Sequence, residues 1–171
     1  MKAHRRARVA LVLASVCGLA ALAWTSFATP KVRLVYNPSN SVPVGWYRIE
    51  PARSLHVGSI VLTLLPAEMA ALADRRGYLP AHVPLLKRVG AVAPQHVCTR
   101  DGIVRIDGMP VATVLPADRW GRPLPRSLHC RPLAEGEVFL LSTRHPASFD
   151  SRYYGPVLVA NVIGEARPLQ P

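Results

Sequence analysis

The sequence predicts a mainly β protein with one short soluble helix and one N-terminal transmembrane helix. Seventeen prolines are spread over 171 residues and few stretches keep a helical period, which argues against a helical bundle. Short apolar runs bounded by Gly, Pro and Asp recur along the chain, as in β-strands joined by turns. Half of the residues are hydrophobic, so we expect a packed core rather than disorder.

The first element is an apolar run over 9–30 that contains no charged residue. About 20 apolar residues span a bilayer, so this run is long enough to cross one. Four basic residues precede it: Lys2, Arg5, Arg6 and Arg8. Because basic residues stay in the cytoplasm, we predict a cytoplasmic tail over 1–8, a transmembrane anchor over 9–30 and an extracytoplasmic domain over 31–171. This describes a single-pass protein of the inner membrane with its domain in the periplasm.

A cleaved signal peptide is the alternative interpretation of this run. Ser26-Phe27-Ala28 has the small-x-small pattern of a cleavage site. We favour a retained anchor because the run is long for the apolar core of a signal peptide. Ser41 follows Lys31 by ten residues, at most about 35 Å of extended chain, so its chemistry is expected close to the membrane.

Strands are predicted over 46–49, 57–65, 84–89, 103–106, 138–142 and 157–163. The one soluble helix is predicted over 66–76, because Pro66 opens it, Glu68 lies in its first turn and Gly77 ends it.

Two tight hairpin turns are predicted at Arg100-Asp101-Gly102 and Asp107-Gly108. The Pro- and Arg-rich segment over 119–132 is predicted to be an irregular exposed loop, with no function assigned to it.

The net charge of +11 suits either an anionic membrane surface or nucleic acid. The sequence has no zinc-finger spacing, no helix-turn-helix signature and no aromatic residues interleaved with the basic ones. We therefore expect membrane lipid as a partner and no nucleic acid.

The chain has three cysteines, and whether they form a disulfide depends on the compartment in which the body of the chain lies. Cys17 lies in the apolar run, whereas Cys98 and Cys130 lie in the body of the chain. In an exported body a Cys98–Cys130 disulfide is a candidate, and two unrelated buried thiols are the alternative. Neither cysteine has a CxxC partner or a histidine at ligand spacing, so we expect no metal and no cofactor.

The most informative loop runs from Pro38 to Gly45. Pro38 and Pro43 fix the backbone on either side of two hydroxyls, Ser39 and Ser41. A rigid loop of this kind can hold a serine nucleophile exposed, although a plain Pro/Ser turn has the same composition.

A serine nucleophile needs a base, and Lys87 is the candidate. In a strand it shares one face with Leu85 and Val89, where burial lowers a lysine pKa. The positive charge of Arg88 is expected to lower the pKa of Lys87 further. A snorkelling lysine at a strand edge is the simpler alternative.

A third polar patch follows, in which Asp150 and Arg152 can pair and Ser148 can hydrogen-bond an amine.

Taken together, these patches resemble the signal peptidase I superfamily of Ser-Lys membrane proteases. Pro38-Ser39-Asn40-Ser41 is similar to the family's nucleophile box, Lys87-Arg88-Val89 to its base box, and 148–152 to its last box. The resemblance implies a signal-peptidase-like β-fold with long connections. It also implies catalytic Ser41 and Lys87, an oxyanion hole from Ser39 and Ser41, and support from Ser148, Asp150 and Arg152.

Two departures point to one branch of the superfamily. The usual Ser-Met-x-Pro is shortened to Ser41-Val42-Pro43, and the usual Gly-Asp-Asn ahead of the last box is Ser142-Thr143-Arg144. With Asn37 and Tyr47 at their spacing, the chain resembles the conjugative-transfer branch of TraF-type peptidases. That branch implies maturation of a pilin precursor, with pilin cyclisation known in the group.

Three alternatives stay open: a general signal peptidase I, a self-cleaving repressor-type Ser-Lys protease, and a non-enzymatic anchored subunit of a conjugation or secretion apparatus. An apolar cleft beside Ser41 is also expected, with four candidates to line it or to touch lipid: Tyr36, Val42, Val44 and Trp46.

Overall fold

A computed structural model describes residues 2–27, 33–127 and 129–169. The chain divides into two compact units, Met1–Val32 and Arg33–Pro171. All of the sheet structure in the described residues belongs to the second unit.

The first unit contains a single helix, α1, over Lys2–Phe27. Its segment His4–Trp24 is long and apolar enough to cross a membrane, by length and composition. The helix begins within the predicted basic tail, seven residues before the predicted anchor. The last residues of that anchor, 28–30, lie outside the described residues, and so does Ala28 of the alternative cleavage site.

The second unit is mainly β, which confirms the predicted fold class. Its strands are β1 (Leu34–Asn37), β2 (Gly45–Glu50), β3 (Ile60–Thr63), β4 (Leu85–Val92), β5 (His96–Arg100), β6 (Ile103–Ile106), β7 (Met109–Thr113), β8 (Cys130–Pro132), β9 (Glu137–Leu140), β10 (Val157–Leu158) and β11 (Val162–Pro168). Two short helices accompany them, α2 (Ala67–Arg75) and α3 (Ser151–Tyr154).

Within the described chain, the strands form two antiparallel sheets. Seven strands lie in the order β1-β2-β11-β3-β4-β9-β10, and four lie in the order β7-β6-β5-β8. Strand β4 lies near the middle of the larger sheet, between β3 and β9. Its residue Lys87 is directly opposite Val61 of β3.

Both predicted hairpin turns are confirmed, and each joins its strands through two residues. Asp101 and Gly102 connect β5 to β6, and Asp107 and Gly108 connect β6 to β7. All four residues have positive φ, which an Asp-Gly pair tolerates and a type I′ turn requires. These turns fix the register of the smaller sheet.

Three clusters of buried residues make up the core, and β4 contributes to each of them. Leu86 packs with Tyr47 and Val42, Val89 packs with Val61, and Ala91 packs with Phe139. Strand β4 is therefore held on both faces along its length. A strand fixed in this way can hold a functional side chain rigidly.

Helix α2 confirms the predicted soluble helix. It has Pro66 at its N-cap and Gly77 with φ 67° just after its C-cap. Cys98 and Cys130 form a disulfide between β5 and β8, which pair at this position.

Several predicted boundaries were wrong. The predicted strand over 157–163 is divided by a 3₁₀ turn at Val159–Asn161 into β10 and β11, which pair with different neighbours. The predicted strand over 57–65 is shortened to β3, and the predicted loop over 119–132 ends in β8. Strands β1, β5 and β7 and helix α3 were not predicted, because four or five residues carry too little periodicity to identify an element.

Candidate active site

The Pro-bounded loop joins β1 to β2, and the side chain of Asn37 organises it. Asn37 Nδ2 lies 2.8 Å from Ser39 O, 3.1 Å from Val42 O and 3.0 Å from Pro43 O. Its Oδ1 accepts from the backbone N–H of Ser39 (3.1 Å) and from the Ser39 hydroxyl (2.8 Å). Tyr47 OH, buried in the core, also donates to Pro43 O (2.7 Å). The loop that carries Ser41 is therefore fixed from inside.

Strand β4 brings Lys87 to this loop. Lys87 Nζ lies 2.9 Å from Ser41 Oγ and 2.6 Å from Ser148 Oγ. The lysine side chain is buried, with 5% of the residue exposed, whereas Ser41 is half-exposed. A serine hydroxyl within hydrogen-bond distance of a buried amine is the arrangement that nucleophilic catalysis by a Ser-Lys pair requires.

Burial is the main influence on the charge of Lys87. It lowers the pKa of the amine to about 8 from an ordinary value of 10.5. The Asp150 carboxylate raises this pKa, and the Arg152 guanidinium lowers it. Arg88, the expected source of like charge, directs its guanidinium to Gly58 O (2.7 Å), so Arg152 is the neighbouring cation that lowers this pKa.

Asp150 and Arg152 form a buried bidentate ion pair behind the lysine. Arg152 Nε and Nη2 each lie 2.8 Å from one Asp150 oxygen, and both side chains are almost fully buried. The guanidinium also donates to backbone carbonyls at Pro146 (2.8 Å), Ser142 (3.0 Å) and Thr113 (3.2 Å). The pair thus ties the segment that carries Ser148 to both sheets.

Ser142 is a contact that sequence reasoning missed. Its hydroxyl donates to Ser41 O (2.8 Å), and its backbone N–H donates to Asp150 Oδ2 (3.0 Å). It therefore connects the ion pair to the backbone of the loop that carries Ser41. The available signal was the departure at Ser142-Thr143-Arg144, where the superfamily usually has Gly-Asp-Asn.

Two donors lie beside Ser41 Oγ. Ser39 Oγ is 3.4 Å away, with its hydroxyl hydrogen-bonded to Asn37. Within the described chain, the backbone N–H of Ser41 has no protein acceptor. Both groups lie where a carbonyl oxygen could receive hydrogen bonds as it becomes an oxyanion during attack by Ser41 Oγ.

A cleft of about 780 Å³ opens over the Ser41–Lys87 pair. Its lining includes six apolar or aromatic residues: Val35, Tyr36, Leu65, Leu79, Val83 and Leu85. Of the four predicted lining residues, only Tyr36 is among them. Val42 is 1% exposed in the core, and Val44 and Trp46 are exposed outside the cleft.

The comparison with protein families agrees with this architecture. The model of the family described as signal peptidase, peptidase S26, matches residues 6–169. A solved signal peptidase I from Enterococcus faecalis V583 is similar at 20% identity, over 69% of this chain and 98% of its own, with a TM-score of 0.41.

Relatives of nearly the same length carry conjugation names. The plasmid transfer protein TraF of Escherichia coli is 32% identical over 96% of this chain and 96% of its own length. The conjugal transfer protein TraF of Agrobacterium tumefaciens (strain 15955) is 36% identical over 97% of this chain and 96% of its own. The chain therefore belongs to the signal peptidase family, peptidase S26, and within it to the TraF-type branch.

Proposed function

We propose that this chain is a membrane-anchored Ser-Lys endopeptidase that matures a pilin or another exported precursor in conjugative transfer. The main support for this proposal is the distance of 2.9 Å between the buried Lys87 amine and Ser41 Oγ. Membership of a peptidase family supports the reaction type, and the conjugal transfer names of the relatives support the process.

In the proposed mechanism, neutral Lys87 removes the proton from Ser41 Oγ while the oxygen attacks the scissile carbonyl. Lys87 donates a hydrogen bond to Ser148 Oγ, which leaves its lone pair directed at the serine. The Ser41 N–H and the Ser39 hydroxyl stabilise the oxyanion, for which the Ser39 hydroxyl turns away from Asn37. The protonated lysine then donates its proton to the leaving amine, and an acyl-enzyme remains on Ser41.

Two nucleophiles can resolve that acyl-enzyme. Attack by water releases a trimmed protein, whereas attack by the amino terminus of the same substrate closes a ring. The two products differ in mass by one water, so a mass spectrum distinguishes them.

The proposed location follows from α1. The helix would anchor the chain in the inner membrane with its N-terminus in the cytoplasm, because basic residues precede its apolar segment. The Ser41 loop would then lie on the periplasmic side, close to lipid and to an exported substrate.

The test uses the full chain in detergent with a synthetic pilin precursor segment as substrate. Ser41→Ala and Lys87→Ala should each lower kcat by about 10⁴-fold or more. Ser54→Ala is the matched control, since Ser54 is exposed and does not line the cleft. Equal turnover in all four proteins would refute the Ser-Lys mechanism, and binding without cleavage would instead indicate an assembly subunit.

A further inference from the structure

A short hairpin over 116–124 forms part of the wall of the cleft, and we call it the rim hairpin. Leu124 N–H donates to Pro116 O (3.0 Å), and Asp118 N–H donates to Arg122 O (2.9 Å). A β-bridge pairs Ala117 with Pro123. These bonds give the hairpin a fixed shape, and residues 119–124 of it belong to the segment to which the sequence assigned no function.

The carboxylate of Asp118 joins the rim hairpin to Tyr78 and pairs with the charge of Arg122. The carboxylate accepts hydrogen bonds from Tyr78 OH, Arg122 Nε (2.7 Å) and the Trp120 N–H (2.9 Å). Burial raises the pKa of Asp118, but the hydrogen bonds from Tyr78 and Arg122 outweigh it and keep that pKa well below its usual range. Asp118 therefore stays ionised and neutralises Arg122.

A row of aromatic rings connects the rim hairpin with the catalytic pair. Trp120 stacks on Tyr78 with 6.3 Å between ring centroids, and Tyr78 contacts Phe149 at 5.5 Å. Phe149 directly follows Ser148, whose hydroxyl is hydrogen-bonded to Lys87. Through these contacts the Trp120 ring has a defined position relative to Ser148, the residue that is hydrogen-bonded to the Lys87 amine.

Arg119 is the cation on the rim hairpin that has no acidic partner. Its guanidinium lies 3.9 Å from the centroid of the Trp120 ring, and the residue is exposed. Across the part of the chain that the structure describes, no carboxylate forms a salt bridge with it. Arg119 lines the same cleft as Ser41 and Lys87.

We propose that Arg119, held over the Trp120 ring, is a specificity-determining subsite that binds an acidic side chain of the substrate at a fixed distance from the scissile bond. This inference rests on the proposed peptidase function. A guanidinium that lies over an aromatic ring, as Arg119 does at 3.9 Å, can keep N–H donors free for a bidentate pair with one carboxylate.

The charge count favours a peptide over a lipid surface as the partner of Arg119. Recognition of anionic lipid uses clusters of about four to eight basic residues. On the rim hairpin Arg122 is already neutralised by Asp118, so one net positive charge remains. A single unpaired guanidinium over an aromatic ring matches a single carboxylate of a peptide.

The experiment measures cleavage preference with the full chain in a zwitterionic detergent, without anionic lipid. Chymotryptic peptides of a bacterial lysate, which keep internal Asp, Glu, Lys and Arg, are the probe, and mass spectrometry identifies the cleaved bonds. The wild type should favour Asp or Glu at one position relative to the cleavage site. Arg119→Gln should lose that preference, and Arg119→Glu should replace it by a preference for Lys or Arg at the same position.

A matched peptide pair then gives the size of the effect. With Glu or Gln at the preferred position, the wild-type ratio of kcat/KM should be about 3- to 10-fold, falling to about one in Arg119→Gln. Trp120→Ala should reduce the ratio partly, since it removes the surface under the guanidinium. Arg53→Gln, an exposed arginine outside the cleft, is the control and should keep the wild-type ratio.

Three results would overturn the inference. The first is Ser41-dependent cleavage with no acidic preference, which leaves the proposed function intact. The second is an acidic preference that Arg119→Glu does not reverse. The third is an Arg119 effect that appears only with anionic vesicles and equally for all peptides, which would assign the residue to lipid. If no peptide is cleaved in a Ser41-dependent way, both the function and the subsite fall.

Discussion

Lys87 combines two properties that are seldom found together, a buried position and an ionisable amine. Val61 lies opposite it and Val89 follows on the same face, so water is scarce around Nζ. Desolvation lowers the pKa of the amine, and the Asp150 carboxylate partly restores it. The resulting pKa of about 8 leaves a useful fraction of neutral amine near neutral pH.

The first prediction concerns pH. Because the base must be neutral, log kcat/KM should rise with unit slope below pH 8 and level off above it. Activity at pH 7 should therefore be about tenfold below the plateau. Initial rates on one neutral precursor segment between pH 6 and pH 9.5 measure this. A flat profile, or one that falls as pH rises through 8, would contradict the assignment of Lys87 as base.

The second prediction concerns Ser142, which we expect to act as a positioning residue. Ser142→Ala removes the hydrogen bond to Ser41 O, so the loop that carries Ser41 loses one contact. A buried hydrogen bond contributes about 1 kcal/mol, so kcat should fall about fivefold while KM changes little.

The control for Ser142→Ala is Ser59→Ala, which removes a comparable hydrogen bond to Glu165 outside the cleft. It should cost similar stability and leave kcat unchanged. An equal loss of kcat in both variants would show that Ser142 acts through stability alone.

At the scale of elements, the buried Asp150–Arg152 ion pair holds α3 and the segment before it in place. Asp150 is the N-cap of α3 and accepts from the Arg152 N–H, while the Arg152 guanidinium reaches carbonyls on three segments. A buried pair is strongly coupled to its surroundings, since removing one partner leaves the other charge desolvated. The geometry around Ser148 therefore depends on this pair.

The third prediction tests the structural role of the Asp150–Arg152 pair. Asp150→Asn keeps the shape and the cap but leaves Arg152 buried without its counter-charge. The free energy of unfolding should fall by about 3–5 kcal/mol, measured by urea denaturation. Because Asp150 raises the pKa of Lys87, the activity profile of any folded variant should also move to lower pH.

The control for Asp150→Asn is Glu50→Gln, which breaks the exposed pair with Arg167. Exposed pairs contribute at most about 1 kcal/mol, so this variant should be nearly as stable as the wild type. Similar losses in the two variants would refute the structural role of the buried pair.

The elements that were predictable have a local cause. The two Asp-Gly turns fix their hairpins through positive φ at both central residues, and α2 has start and stop signals within 12 residues. In contrast, β1 and β8 are short and exist because partners supply their hydrogen bonds. Such strands depend on distant residues, so no local pattern identifies them.

At the scale of the whole molecule, the three core clusters all lie in the Arg33–Pro171 unit. This unit also contains the disulfide and both members of the candidate pair. It therefore has what a domain needs to fold by itself.

The fourth prediction follows from this division. A chain lacking 1–30 should fold, form the Cys98–Cys130 disulfide and still cleave soluble peptides. It should process a precursor embedded in vesicles more slowly, because the anchor no longer concentrates enzyme and substrate in one membrane. Near-ultraviolet circular dichroism and the two cleavage assays measure this. Loss of folding would contradict the independence of the unit, and undiminished processing in vesicles would contradict the role of the anchor.

The sequence by itself determined the mainly β class, the apolar N-terminal helix, the soluble helix and the hairpin turns, since each depends on neighbouring residues. Family motifs also identified Ser41, Lys87, Ser148, Asp150 and Arg152 as one set. Only the tertiary structure revealed Ser142 beneath the nucleophile loop, Arg152 rather than Arg88 as the cation that lowers the lysine pKa, and Arg119 on the cleft wall. Those contacts join residues that are distant in the chain, and strand order and register decide which of them meet.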